Sequence, residues 1–269
     1  MLNILDAVIS AGNASRPNED RYGCSGDWAW VIDGATDLEP DAFMSAPSDV
    51  VWLVDHMGEL LQEEGAKDRG PGAGDLLHAL ARRVGDDMRA LGFPADRIHP
   101  TCSVGLLRAG PDGIELARVG DPTCLAFGRR TIEVSTTFFG RREAQAIERA
   151  SGADLTDTDS RDGIRRRRQM YIRGAFEESV FSGHPDAVLH IQTETLGPGQ
   201  ADYVLLCTDG FARAVVDYHI YPDWRALLQE ALESGLSAVL DRVRNHETKA
   251  LSSAHFKKSD DATALLIRV

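Results

Sequence analysis

The sequence has few cysteines and no paired cysteine motif. Its four cysteines, Cys24, Cys102, Cys124 and Cys207, are widely spaced, and no C-x-x-C occurs. Three of them lie inside apolar runs, which favours buried free thiols in a reducing compartment over disulfides or a zinc site. An arginine follows Cys102, Cys124 and Cys207 at the C-x5-R spacing, but each of these cysteines lies inside an apolar run rather than in a loop, so the pattern indicates no cysteine nucleophile.

Long apolar runs are also absent. No segment approaches the roughly 18 apolar residues of a membrane-spanning helix. The N-terminal MLNILDAVISAG has no basic region ahead of its short apolar stretch, so it does not look like a secretory signal. These absences predict a cytoplasmic protein without a membrane partner.

The sequence also lacks an excess of positive charge. The chain of 269 residues has 29 Lys and Arg against 42 Asp and Glu, a formal net charge of −13. This balance argues against nucleic acid and against an anionic membrane surface as partners. A phosphorylated substrate would have to be met by local positive charge or by metal ions. The eight histidines show no H-E-x-x-H spacing, and only His184, in the turn SGHPD, is a candidate proton shuttle, with a plain turn residue as the alternative.

The order of apolar patterns predicts an α+β chain without repeats or a linker, and hence one domain over residues 1–269. In the first half, alternation and helical spacing indicate a strand at 2–9, the strand WAWVID, two helices with apolar faces at 50–61 and 77–91, and the strands TCSVGLL, IELARV and TCLAF. A polar stretch with a short helix follows at 140–185. The rest of the chain reads as the strands AVLHI and YVLLC, helices at 224–232 and 236–243, and the strand ALLIRV. The three closely linked strands of the middle are expected to pair antiparallel. The whole suggests two sheets flanked by helix pairs.

Four aspartates stand where apolar runs stop. They are Asp33 after WAWVI, Asp121 after IELARVG, Asp209 after DYVLLCT and Asp260 before DATALLIRV. If these runs are buried strands, each carboxylate is delivered to a strand end, where several can converge. Gathered carboxylates repel one another unless a cation neutralises them, and oxygen ligands suit Mg²⁺ or Mn²⁺. The pattern therefore predicts a metal-dependent enzyme.

Six motifs, taken in order, resemble the type 2C (PPM-type) family of metal-dependent serine/threonine protein phosphatases. They are NEDR at 18–21, VIDG at 31–34, TCSVGLLR at 101–108, ARVGD at 117–121, LLCTDGF at 205–211 and DDAT at 260–263. The resemblance spans essentially the whole chain. It implies a four-layer αββα sandwich of two mainly antiparallel sheets flanked by helix pairs, with a variable flap-like insertion at about 140–185.

The resemblance also implies a site for two Mg²⁺ or Mn²⁺ ions. Asp33 would be shared by both ions, the Gly34 carbonyl would be a further ligand, and Asp209 and Asp260 would complete one shell. Glu19 and Asp20 match the acidic pair around metal-bound waters.

Two further roles follow from the same resemblance. Asp121 matches the ligand of a third, weaker ion shared with Asp209. Arg16 is the candidate for binding the substrate phosphate, because a guanidinium matches phosphate oxygens.

The activity so implied is hydrolysis of phosphoserine and phosphothreonine in proteins by a hydroxide bridging the two metals, with Asp33 and Asp209 essential. Arg165–Arg168 would guide phosphorylated protein segments, or form a solvated face. Three departures from the family stand out: DGATDLEP after the strand, Gly120-Asp121-Pro122-Thr123, and Asp261 in place of the usual Asn. They leave two alternatives open, a catalytically weak scaffold that binds a partner and a small-molecule phosphate hydrolase of the same mechanism.

Overall fold

Two five-stranded antiparallel sheets form the centre of the computed structural model, which describes residues 2–67, 70–142, 145, 157–249 and 259–269. Sheet I has the order β1 (Asn3–Ser10), β10 (Ala262–Arg268), β9 (Tyr203–Cys207), β6 (Thr123–Phe127) and β7 (Thr131–Val134). Sheet II has the order β2 (Asp20–Ser25), β3 (Trp28–Gly34), β4 (Cys102–Gly110), β5 (Gly113–Val119) and β8 (Gln192–Leu196).

Helices cover the outer faces of both sheets. In chain order they are α1 (Asp49–Gly65), α2 (Ala73–Ala90), α3 (Asp157–Ile172), α4 (Asp209–Val216), α5 (Trp224–Ser234) and α6 (Leu236–Lys249). The first two pack on sheet II, and the last three pack on sheet I. The predicted four-layer αββα sandwich is confirmed, with a short third helix, α4, beside the expected pair on sheet I.

Strand β3 shows why the sandwich has three apolar layers. Its alternate residues Ala29 and Val31 face the opposite sheet, whereas Trp30 and Ile32 join the cluster under α1 and α2. Side chains alternate between the two faces of a strand, so a strand covered on both faces must be apolar throughout. This explains the unbroken run WAWVI.

The start of the first helix and the end of the second have signals in the local sequence. The hydroxyl of Ser48 accepts a hydrogen bond from the backbone N–H of Val51 at 3.0 Å and so caps α1. Helix α2 stops just before Gly92, which has a φ of +78°. Their apolar faces are buried against sheet II.

The predicted pairing of the three middle strands is wrong at its second step. Strands β4 and β5 pair antiparallel, but β6 pairs with β7 and β9 in the other sheet. The turn at Gly120 carries the chain across, with a φ of +85°, and a Cβ there would lie 2.1 Å from the Ser103 hydroxyl oxygen. The same turn places Asp121 between the two sheets.

The predicted strand AVLHI, at 187–191, is also wrong. The edge strand β8 begins at Gln192 instead. Backbone N–H groups of the predicted segment are used elsewhere: that of Val188 donates to the Ile172 carbonyl, and that of His190 to the Ser179 hydroxyl. Leu189 and Ile191 of this segment still pack into the core under α1 and α2, but the segment does not extend the sheet.

The flap-like insertion expected at 140–185 is described in part. Residues 143, 144 and 146–156 lie outside the described residues, and the short helix expected in this stretch is α3. Among the described helices, none is long and apolar enough to cross a membrane.

Candidate active site

The strand ends bring the acidic residues of the motifs to one end of the sandwich. Asp33, at the end of β3, lies opposite Asp20 of β2 on one side and opposite Ser103 of β4 on the other. In sheet I, Asp209 follows β9 and Asp260 precedes β10. Because β9 and β10 are adjacent and antiparallel, these two aspartates lie at the same end of sheet I.

Four aspartates line a single cavity of about 330 Å³ between the ends of the sheets. These are the strand-end residues Asp33, Asp121, Asp209 and Asp260. Gly34, Thr101 and Ser103 also line this space, which we call the carboxylate cavity. Side chains up to 227 positions apart in the chain (33 to 260) thus meet at one place.

Asp20 lies behind this cavity and is 1% exposed. Its carboxylate accepts a hydrogen bond from the Thr208 hydroxyl at 2.8 Å, and that hydroxyl accepts one from the backbone N–H of Thr263 at 3.0 Å. The contact joins sheet II to the β9–β10 pair directly beneath the aspartates.

The carboxylates are electrostatically strained. Burial raises the pKa of Asp33 well above its usual range, and the charges of Asp20, Asp209, Asp121 and Asp260 raise it further. Burial likewise raises the pKa of Asp20, against the hydrogen bond from Thr208. Burial also raises the pKa of Asp121, where a hydrogen bond from Ser103 lowers it. The cavity is therefore a place where anions are costly.

Two arginines that the sequence analysis did not single out adjoin the cluster. The guanidinium of Arg213 donates to Asp260 at 3.2 Å. Arg213 lies one helical turn after Asp209 on α4, so its spacing of four residues was a usable signal. Arg118 lies near Asp121 but forms an ion pair with Glu178, whose carboxylate accepts hydrogen bonds from it at 2.8 and 3.1 Å.

The glycines after two of the aspartates are required by close backbone approach. A Cβ at Gly34 would lie 2.6 Å from the Glu19 carbonyl oxygen, and one at Gly210 would lie 2.0 Å from that of Asp261. Both distances are far below van der Waals contact. The Asp-Gly pairs of the motifs therefore have a steric cause, whatever else they do.

Asp261 holds the N-terminal loop against this end of the molecule. Its two carboxylate oxygens accept from the backbone N–H groups of Gly12 at 2.8 Å and Glu19 at 2.7 Å. An asparagine, the usual family residue, has one acceptor oxygen and could not accept both bonds in this way.

Arg16 lies apart from the carboxylate cavity. Its side chain is exposed and lines a neighbouring cavity of about 610 Å³ together with Glu19 and Asp37. The two cavities share Thr36 and Asp260. The arginines on the wall of the carboxylate cavity are Arg142, Arg167 and Arg168.

His184 lies elsewhere and does not line the carboxylate cavity. Its ring contacts that of His99, with 4.6 Å between centroids. Burial lowers the pKa of His99 to about 4, with a further contribution from His184. The structure therefore brings His184 into a small aromatic cluster rather than into the acidic site.

The donor atoms of the cavity fit a hard divalent cation. As they stand, no three His, Cys, Asp or Glu side chains in the described ranges form a group that could hold a metal ion. The donors are nevertheless all oxygens, which Mg²⁺ and Mn²⁺ prefer. A cation would also relieve the repulsion that raises the pKa of Asp33.

Solved structures of bacterial phosphatases share this architecture over their whole length. Serine/threonine phosphatase Stp1 from Staphylococcus aureus matches with a TM-score of 0.60 and 15% identity, covering 100% of this chain and 95% of that one. The catalytic domain of the serine/threonine protein phosphatase PstP, in complex with two manganese ions, gives 0.57 and 12%, covering 100% and 99%. The chain has the fold of these phosphatases.

A third structure connects this fold to the family that the motifs resemble. The PPM Ser-Thr phosphatase MsPP from Mycobacterium smegmatis, in complex with cacodylate, matches with a TM-score of 0.55 and 14% identity, covering 99% of both chains. The resemblance read from the motifs is thus confirmed at the level of the PPM phosphatase fold. No protein-family model matches the sequence, and no curated protein is similar to it.

Proposed function

We propose that the protein is a Mg²⁺- or Mn²⁺-dependent phosphatase that hydrolyses phosphoserine and phosphothreonine in proteins. The observation that carries this proposal is the meeting of Asp33, Asp121, Asp209 and Asp260 in one cavity at the ends of the two sheets. The phosphatase fold supports it independently. A role opposing a kinase in cytoplasmic signalling is part of the proposal.

The residues of this chain would hold two ions as the motifs imply. Asp33 would be shared by both ions, the Gly34 carbonyl would be a further ligand, and Asp209 and Asp260 would complete one shell. Glu19 and Asp20 would hold waters of the metal shells. Asp121 would hold a third, weaker ion together with Asp209.

When bound, the ions would supply a nucleophilic water at neutral pH and neutralise the phosphate oxygens. The contribution of the protein is to orient the carboxylates. The Thr208 hydroxyl fixes one oxygen of Asp20, and Arg213 fixes one oxygen of Asp260. Direct attack by water needs no phosphoenzyme, in keeping with the buried cysteines Cys102, Cys124 and Cys207.

Hydrolysis of p-nitrophenyl phosphate tests the proposal. We expect turnover that needs Mn²⁺, stops in excess EDTA, and falls at least about 100-fold in Asp33→Asn and Asp209→Asn, because each removes a ligand charge. Asp112→Asn is the matched control, since Asp112 is exposed in the β4–β5 turn. Full activity of the wild type in EDTA would contradict the proposal.

A second candidate function is hydrolysis of small-molecule phosphate monoesters. It is favoured by the position of α3, whose residues form part of the wall of the carboxylate cavity and restrict its size. Comparing kcat/KM for phosphopeptides and for metabolite phosphates separates the two functions. Absence of both turnover and calorimetric Mn²⁺ binding would instead favour the scaffold alternative.

A further inference from the structure

Helix α3 presents one face to the carboxylate cavity. The cavity is lined by Ile164, Arg167, Arg168 and Tyr171, which are spaced i, i+3, i+4 and i+7 and therefore lie on one side of a helix. We call these four residues the arginine face. The four aspartates line the same cavity, so that anionic and cationic side chains border one space.

Contacts near both ends of its described part hold α3 in this position. Arg165 donates to the Leu38 carbonyl at 3.1 Å and to Glu39 at 3.3 Å, in the loop that follows β3. Toward the other end, the Tyr171 ring packs against those of Phe139 and Phe176, each with 5.2 Å between centroids. The arginine face is thus oriented by the rest of the fold rather than by the aspartates.

The two guanidiniums of this face differ from the other arginines near the site. Arg118, Arg165 and Arg213 each form an ion pair with a carboxylate. Neither Arg167 nor Arg168 makes a hydrogen bond or ion pair to a side chain that the structure describes. Their donors are therefore available to an anion in the cavity.

Arg168 remains a cation in this setting. Burial lowers its pKa to about 10, while the charges of Asp37 and Glu19 act in the opposite direction. At neutral pH the guanidinium is protonated. A partly buried guanidinium whose donors have no hydrogen-bonded carboxylate among the described residues is costly unless an anion binds beside it.

We propose that Arg167 and Arg168 bind the phosphate group of the substrate in the cavity that the carboxylates also line. Planar guanidinium forks match the oxygens of a phosphate monoester. This assigns to α3 the role that the motif resemblance gives to Arg16, which lines the neighbouring cavity. The inference rests on the proposed phosphatase function.

Five arginine variants with a matched control test this assignment. With p-nitrophenyl phosphate and Mn²⁺, we expect Arg167→Met and Arg168→Met each to raise KM about tenfold or more, since each removes a charged partner of phosphate. We expect Arg167→Lys and Arg168→Lys to recover part of this loss, and Arg16→Met to have a smaller effect. Arg166→Met is the control, because Arg166 is exposed on the same helix and does not line the cavity.

Calorimetric titration with inorganic phosphate in the presence of Mn²⁺ gives a readout that does not depend on turnover. Phosphate should bind the wild type and Arg166→Met equally, and Arg167→Met and Arg168→Met about tenfold more weakly, with Mn²⁺ affinity unchanged. If the wild type hydrolyses the ester but these two variants match Arg166→Met in KM and phosphate binding, the inference is overturned while the proposed function stands. A wild type without turnover defeats the function, and the phosphate titration still decides the inference.

Discussion

At the scale of single residues, Asp261 contributes to the structure through both of its carboxylate oxygens, whereas an asparagine would offer one acceptor oxygen. Asp261 accepts backbone N–H groups from Gly12 and from Glu19 with separate oxygens. It therefore fixes both ends of the loop that carries Arg16.

Substituting Asp261→Asn should destabilise the protein by about 1–3 kcal/mol, because one backbone N–H would then face the amide NH₂ group and lose its partner. Urea denaturation measures the loss. Asp112→Asn, in an exposed turn, should leave the midpoint unchanged. An unchanged midpoint for Asp261→Asn as well would show that the loop does not depend on this carboxylate.

The sequence predicted some of these residues and not others for a physical reason. Asp33, Asp121, Asp209 and Asp260 could be found because each stands next to an apolar run whose burial the pattern reveals. The partnership of Asp261 with Gly12 joins positions 249 apart, which no local pattern records. Placement of Arg16 outside the carboxylate cavity was likewise invisible, because it depends on where that loop packs.

At the scale of secondary-structure elements, a buried ion pair joins sheet II to the segment that follows α3. Arg118 of β5 is 0% exposed and donates to both oxygens of Glu178. It also donates to the carbonyls of Gly120 and Ser135. The pair therefore connects the turn that carries Asp121 with the chain returning from α3.

Glu178→Gln should cost about 3–5 kcal/mol of unfolding free energy, because it leaves the buried Arg118 without a counter-charge. The double variant Arg118→Met/Glu178→Leu should recover much of that loss. Chemical denaturation of the three proteins checks the prediction. The exposed pair Arg242–Glu230, with a similar separation of 2.9 Å, is the control: Glu230→Gln should have little effect. A Glu178→Gln midpoint equal to that of this control would contradict the argument.

Helices and strands whose apolar pattern lies in their own sequence were predicted well. Segments whose structure depends on which other segment they pair with were not. Helices α1 and α2 have apolar faces and end signals in the local sequence. The segment 187–191 is apolar enough for a strand, but its backbone bonds go to Ser179 and to the end of α3. The transfer of β6 to sheet I depends on competition between two possible partners, and spacing along the chain cannot decide it.

At the scale of the whole molecule, the fold brings mutually repelling carboxylates together where the two sheets meet. The folded state raises the pKa of Asp33 and Asp20 above the values of an unfolded chain. Between these values the folded state holds protons that the unfolded state releases. The stability that these groups contribute is therefore present at low pH and is lost as the pH rises through the folded pKa.

Asp33→Asn should accordingly stabilise the metal-free protein at pH 7.5 by more than about 1 kcal/mol, because the amide neither takes up a proton nor carries a buried charge. The advantage should shrink as the pH falls toward the ordinary pKa of aspartate, near about 4. Thermal unfolding in EDTA from pH 4.5 to 7.5 measures this. Added Mn²⁺ should raise the Tm of the wild type and not of the variant. A variant less stable than the wild type at pH 7.5 in EDTA would refute the account.

Strand β10 lies between β1 and β9, although it is the last of the described strands to be translated. Until the ribosome has made it, β1 lacks the neighbour with which it pairs in the described part of the chain, and β9 has one open side. Such unpaired edges invite association with other chains. Asp260 directly precedes β10, so the pairing of this strand also places Asp260 beside the other aspartates. Completion of the sheet and completion of the acidic cluster are thus a single late event in biosynthesis, and a chain released before it would expose strand edges that favour aggregation.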